Sequence, residues 1–209
     1  GGVMTERRGR WVPDGRCTLV AADVVGYGEQ RRNRQVQIYV RDSLYKLFNT
    51  ALKDSDIAFA RRYSEDRGDG IVMAVSPEIP TDRLIYPFIE YLRAGLRVHN
   101  MVSSELAQMC LRVAVHAAHA WKDSHGLVGE SVTYLFRLLD APAFKQFVHQ
   151  SGAYLALIAS AAVYEEVIMD APGLIDPDDY ASIDVEHKEL STLAWVRQVG
   201  RTASVSRSA

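Results

Sequence analysis

Apolar positions change spacing along this chain, and each change predicts a new element. Residues 17–22 form a short apolar run that breaks at Asp23 into a loop carrying Gly26 and Gly28, the pattern of a buried strand entering a turn. From Asn33 to Lys53, residues Val36, Tyr39, Val40, Leu44, Leu47, Phe48 and Leu52 recur at three- and four-residue intervals, which predicts an amphipathic helix. Residues 57–60 lead into a polar stretch, 62–67, that turns at Gly68-Asp69-Gly70 and becomes apolar through 71–75. This predicts a β-hairpin with a carboxylate at its tip, ended by Pro77.

Helical spacing returns from Asp82 to Val102, with Pro87 expected to bend or restart the helix near its first turn. Residues 111–116 alternate as a strand that continues to Ala120, and a loop from His125 runs into a helix carrying Thr133 and Arg137 on one face. Pro142 starts a further short helix, 155–159 is a strand, and Ser160 is placed to cap the helix after it. Residues 180–185 and 193–199 predict a closing hairpin joined by the charged run 186–189. The order β, α, β, β, α, β, α, β, α, β, β predicts an α/β sandwich of helices on a mixed sheet.

Composition narrows the function. A length of 209 residues, 48% hydrophobic content and a formal charge of −2 suit one domain with a substantial core. They lack the basic surplus of a protein built to grip nucleic acid. The two cysteines, Cys17 and Cys110, are distant in sequence and form no metal-binding spacing, and no apolar run approaches the roughly 20 residues that span a bilayer. A cytoplasmic protein bound to neither membrane nor nucleic acid is expected. Residues 1–16 are read as a tag remnant and basic N-terminal segment, 17–199 as the domain, and 200–209 as a flexible tail.

Two acids, Asp23 and Asp69, stand at the ends of apolar strands and are separated by one helix. Such a pair suits two Mg²⁺ or Mn²⁺ ions holding a nucleoside triphosphate, with Arg137 available to stabilise charge on phosphorus. Taken singly, Asp23 also reads as a helix cap, Asp69 as a turn acid and Arg137 as a solvated helix residue.

Four ordered segments resemble class III nucleotidyl cyclases, the adenylate and guanylate cyclase catalytic domains. Leu19-Val20-Ala21-Ala22-Asp23-Val24-Val25-Gly26-Tyr27 resembles their first metal-binding segment, and Glu65-Asp66-Arg67-Gly68-Asp69-Gly70 their Gly-Asp hairpin. Residues 111–118 resemble the strand that follows, and 129–138 the helix bearing a catalytic Asn and Arg. The resemblance implies a ferredoxin-like βαββαβ core with extra C-terminal helices and a closing hairpin. It also implies a phosphorus-oxygen lyase with two Mg²⁺ or Mn²⁺ held by Asp23, Asp69 and the Val24 carbonyl. Arg137 then falls on the transition-state arginine, Thr133 on the ribose-orienting Asn and Lys188 on a triphosphate-binding lysine; Gly26 and Tyr27, in the glycine-containing loop after the first strand, are expected to contact the substrate. The family's site is shared across a head-to-tail homodimer, one chain giving the metal acids and the other the arginine and base-reading residues.

The base-reading positions depart from the family's purine code. Glu65 stands where adenylate cyclases have Lys, and the partner position falls near Gly126, which offers no side chain. In that respect the chain resembles the stand-alone pyrimidine cyclases of bacterial Pycsar anti-phage systems, which make cUMP or cCMP. UTP is expected ahead of CTP, with Tyr63, Glu65 and Arg67 as base contacts. A guanylate cyclase, or an inactive nucleotide-binding module motivated by Thr133, are the alternatives.

Overall fold

The computed structural model describes residues 9–201; the expected tag remnant and most of the expected tail lie outside them. One eight-stranded mixed sheet runs through the molecule. Its strands are β1 (Asp14–Val24), β2 (Arg62–Asp66), β3 (Gly70–Val75), β4 (Leu111–Asp123), β5 (Gly126–Val128), β6 (Ala153–Ser160), β7 (Ala181–His187) and β8 (Leu190–Arg201). They lie in the order β2-β3-β1-β4-β6-β8-β7, with β5 folded onto the far end of β4. The main helices are α1 (Arg34–Asp54), α2 (Asp82–Ile85), α3 (Phe88–Val102), α4 (Glu130–Leu139), α5 (Pro142–Ser151) and α6 (Ala161–Glu166). Among the described residues no helix is long and apolar enough to cross a membrane.

Period-two alternation sorts each central strand between two cores. Val20, Ala22 and Val24 of β1 face Val40, Leu44 and Phe48 of α1 and Phe88, Ile89, Leu92 and Leu96 of α3. Leu19 and Ala21 face the opposite way, onto Val132, Leu135 and Leu138 of α4 and Phe144 and Val148 of α5. Asp23 shares the parity of Leu19 and Ala21, so its side chain emerges on the α4/α5 face. The caps follow the residue types. Asn33 Oδ1 accepts from Val36 N at 3.0 Å to start α1, and Ser160 Oγ accepts from Val163 N at 3.3 Å to start α6.

Pro87 divides the helix expected over 82–102, because α2 ends at Ile85 and α3 begins at Phe88. The segment before α4, expected to be a loop, contains β5, in which Leu127 pairs with Lys122. Three residues are too few to carry a periodicity, so only the pairing with β4 reveals that strand. The outer strands also run longer than their apolar stretches. β1 begins at Asp14 because Asp14 to Arg16 pair with Trp121 to His119, and β8 extends to Arg201, pairing with Ala153.

A buried histidine pins α4 to the sheet. His116 of β4 lies with Nδ1 2.7 Å from Ser160 Oγ and stacks on Tyr134 of α4, their centroids 4.5 Å apart. Burial pushes its pKa down from 6.5 to about 4, with the charge of Glu166 opposing. The folded chain thus holds a neutral ring while the unfolded chain takes up a proton first as the pH falls. The stability this contributes is complete above about pH 6.5 and is lost toward pH 4. Urea unfolding at pH 4.5 is therefore expected to give about 2 kcal/mol less stability from this group than at pH 7. His116→Gln should flatten that part of the profile.

Candidate active site

The two acids meet at the end of β1. Asp23 is the penultimate residue of a central strand, opposite Gly70 of β3 on one side and Arg112 of β4 on the other. Asp69 lies in the β2–β3 turn, and its carbonyl accepts from Val24 N at 3.1 Å, tying the hairpin tip to the strand end. Glycine is required for that approach: a Cβ on Gly70 would fall 2.0 Å from the Ala22 carbonyl oxygen. Asp66 accepts from Gly68 N at 2.6 Å and pairs with Arg41 of α1, which shapes the turn and leaves Asp69 exposed.

Asp23 is buried and held by a bidentate guanidinium. Arg112 Nε lies 2.9 Å from Oδ1 and Nη2 2.6 Å from Oδ2. Burial pushes the Asp23 carboxyl above its usual range; Arg112 opposes this, and the negative charges of Asp69 and Asp140 add to it. Sequence reading placed Arg112 within a strand and gave it no role. The available signal was one arginine in an otherwise apolar strand, pointing to the same sheet face as Asp23.

Two carboxylates and the Val24 carbonyl form a hard oxygen donor set. It suits Mg²⁺ or Mn²⁺, which take one or two carboxylates and complete their shell with water and phosphate oxygens. Among the described residues no group of three or more His, Cys, Asp or Glu side chains converges as a metal site. Gly26, at φ +65, lines a cavity of about 480 Å³ together with Arg112. Tyr27 turns away from that cavity, its hydroxyl donating to the Gln37 carbonyl at 3.2 Å.

The remaining residues gather elsewhere on the same sheet face. α4 buries Val132, Leu135 and Leu138, so Thr133 and Arg137 are left on its outer side. Both line a cavity of about 460 Å³ with Arg67, whose guanidinium carbon lies 5.2 Å from the Phe136 ring centroid. Arg137 Nε is 3.2 Å from Glu189 Oε1 in the β7–β8 turn, where exposed Lys188 takes φ +55. Tyr63, Glu65 and Arg67 engage one another. Glu65 accepts from the Tyr63 hydroxyl at 2.7 Å and from Leu127 N, and pairs with Arg67 at 3.1 Å. Gly126 packs against that carboxylate so closely that a Cβ there would fall 2.2 Å from Glu65 Oε1.

Comparison with known proteins gives a structural relationship. No protein-family profile and no curated protein matches this sequence. Among solved structures, the catalytic core of a rhodopsin-guanylyl cyclase with converted specificity, in complex with ATPalphaS, superposes at a TM-score of 0.58. It is 13% identical, over 90% of this chain and 97% of that one. The guanylate cyclase domain of RhGC from Catenaria anguillulae, in complex with GTP, gives 0.56 at 13% identity, over 90% and 98%. An adenylate/guanylate cyclase/hydrolase from Silicibacter pomeroyi gives 0.61 at 14% identity, over 87% and 95%. The fold is that of a class III cyclase catalytic domain. Within this cyclase fold, Asp23, Asp69 and Arg112 cluster at the end of β1, and Arg67, Thr133 and Arg137 cluster around α4. The cavities at the two clusters share no lining residue.

Proposed function

We propose that this chain is a metal-dependent nucleotidyl cyclase, converting a nucleoside triphosphate to its 3′,5′-cyclic monophosphate and pyrophosphate. The observation that carries the reading is the exposed Asp69 carboxylate tied beside the buried, guanidinium-held Asp23 at the end of β1, on a cyclase fold. Asp23, Asp69 and the Val24 carbonyl would hold two Mg²⁺ or Mn²⁺ ions. Such ions lower the pKa of an attacking hydroxyl and neutralise phosphate charge.

Arg112 orients the Asp23 carboxylate and opposes the upward push that burial gives its pKa. The ribose 3′-oxygen attacks the α-phosphorus in line, the bond to the bridging oxygen breaks, and pyrophosphate leaves as the hydroxyl proton passes to solvent. Thr133 orients the ribose, and Arg137, released from Glu189, stabilises the charge growing on the α-phosphate oxygens. Lys188, on the same turn as Glu189, reaches the triphosphate. Because Arg112, which holds Asp23, and Arg137 line separate cavities, a head-to-tail homodimer best assembles the site, each cavity of one copy facing the other cavity of its partner.

UTP is the proposed substrate, with CTP next. Guanine presents N–H donors that a free carboxylate would accept, but Glu65 is already engaged by Tyr63, Leu127 N and Arg67. The hairpin group left facing the α4 cavity is Arg67, a pure donor, which matches the two carbonyl oxygens of uracil better than the amino edge of cytosine. The resemblance to stand-alone pyrimidine cyclases extends the proposal to second-messenger synthesis in anti-phage defence. Incubation with each of the four NTPs and Mn²⁺, with products identified by mass, tests the reading, and cUMP is expected to dominate. Cyclic GMP as the sole product would overturn the base assignment. No cyclic product from a folded dimer would leave a nucleotide-binding module.

A further inference from the structure

We propose that the end of α1 and the start of β2 form a second binding site, which takes a small organic carboxylate. The acid group pairs with the buried guanidinium of Arg62, and an apolar body lies on Ile57, Ala58 and Phe59. The site does not rest on the cyclase reading.

A cavity of about 520 Å³ opens here, within the range of small-molecule sites, about 300–1,000 Å³. It shares no lining residue with the cavities at Arg112 and Arg137. Arg62 stands at the opposite end of β2 from Asp66, about 13 Å along the strand from the hairpin turn that carries Asp69. The catalytic reading therefore leaves this cavity unused.

Arg62 is 8% exposed, yet among the described residues no carboxylate pairs with it. Its guanidinium makes two long hydrogen bonds, Nε to the Ile57 carbonyl and Nη1 to Asn49 Oδ1, both at 3.4 Å. Nη2 makes none among the described residues. Burial pushes the Arg62 pKa down, and the positive charge of Arg10 adds to this with no negative charge opposing. Arg10 and Arg62 place their guanidinium carbons 4.0 and 5.6 Å from the centroid of the Phe59 ring, so one aromatic ring bears two cations. An arginine cannot shed its proton to escape burial, so the cost of the uncompensated charge persists until an anion meets it. Capping of α1 does not account for Arg62. The carbonyls of Ala51, Leu52 and Lys53 already accept from the backbone N–H groups of Ser55, Asp56 and Ile57.

The wall also sets the class of ligand. Lys53 and Arg62 against a single acid, Asp56, leave it with one net positive charge, which suits a monoanion and not a polyphosphate. A planar carboxylate matches the fork of a guanidinium in charge and geometry. Phe59 is 62% exposed, apolar surface that an inorganic anion leaves wet and an aromatic or aliphatic body covers.

The probe is 4-(trifluoromethyl)phenylacetate, followed by its fluorine NMR line width with protein free of nucleotide and metal. Wild type is expected to broaden the signal saturably. The uncharged amide of the same acid should bind at least roughly tenfold more weakly, the loss of one charge-assisted pair. Arg62→Met keeps the apolar stem and should bring the acid down to the affinity of the amide. The same variant should unfold at an equal or higher urea concentration, because it removes an uncompensated buried charge. A guanidinium serving only the fold would instead lower that midpoint and leave the probe unaffected. Phe59→Ala, at an exposed position, should weaken acid and amide alike. Lys145→Ala, an exposed lysine of α5 on the other face of the sheet, is the control and should bind as wild type does. Inorganic phosphate at the probe's concentration should not displace it. No saturable broadening by wild type, equal affinity for acid and amide, or wild-type affinity in both Arg62→Met and Phe59→Ala overturns the proposal. Displacement by phosphate overturns the carboxylate as the ligand class.

Discussion

Asp69→Ala is expected to lower cyclic nucleotide formation by at least about a hundredfold while leaving the fold intact, on the scale of losing a group that fixes transition-state charge. The two effects separate because of where the residue's bonds lie. Asp69 holds the hairpin to β1 through its main-chain carbonyl, which accepts from Val24 N, and its side chain is exposed. Replacing the side chain leaves that bond and the Gly70 contact with Ala22 in place, so urea unfolding should shift by no more than about 0.5 kcal/mol. Mn²⁺ affinity, measured by paramagnetic relaxation of water, should fall in parallel with turnover. Wild-type turnover in Asp69→Ala would remove this residue from the metal set and with it the central observation of the proposed function.

Arg112→Leu is expected to cost about 3–5 kcal/mol of folding stability, the loss that follows when one partner of a buried ion pair is removed. The side chains of Arg112 and Asp23 are 11% and 8% exposed, so water replaces little of what the guanidinium supplies. The remaining carboxylate would be buried among Ala21, Ala114 and the α4/α5 core, and it would take up a proton. Asp23→Leu/Arg112→Leu should recover most of the stability, because two apolar side chains need no partner. Turnover should be lost in both variants. A cycle of the four proteins by urea unfolding gives the coupling directly. A cost below about 1 kcal/mol for Arg112→Leu alone would mean that the pair is solvated and that Arg112 does not organise Asp23.

The carboxylates were legible in the sequence because each ends an apolar run. Asp23 follows residues 17–22 and Asp69 sits between two glycines, so strand periodicity and turn chemistry locate both without any long-range contact. The spacing of Thr133 and Arg137 was legible for the same reason, since helical period places residues four apart on one face. Their partners were not. Arg112 is 89 residues from Asp23, and only the antiparallel pairing of β1 with β4 brings the two together. Glu65 reads as an open base contact in one dimension. In three it is engaged by Tyr63 on its own strand and by Leu127 of β5, a strand too short to announce itself.

The sequence by itself therefore determined which residues end strands, which face of α4 is polar, and that two acids precede a helix bearing an arginine. These are local properties, set by period, glycine and proline. Tertiary structure decided that Asp23 is clamped by a guanidinium, that Arg137 is paired to Glu189, and that Arg112 and Arg137 line different cavities. Each of these depends on sheet order and helix packing, which bring together residues from 52 to 89 positions apart in the two ion pairs and which no local pattern encodes.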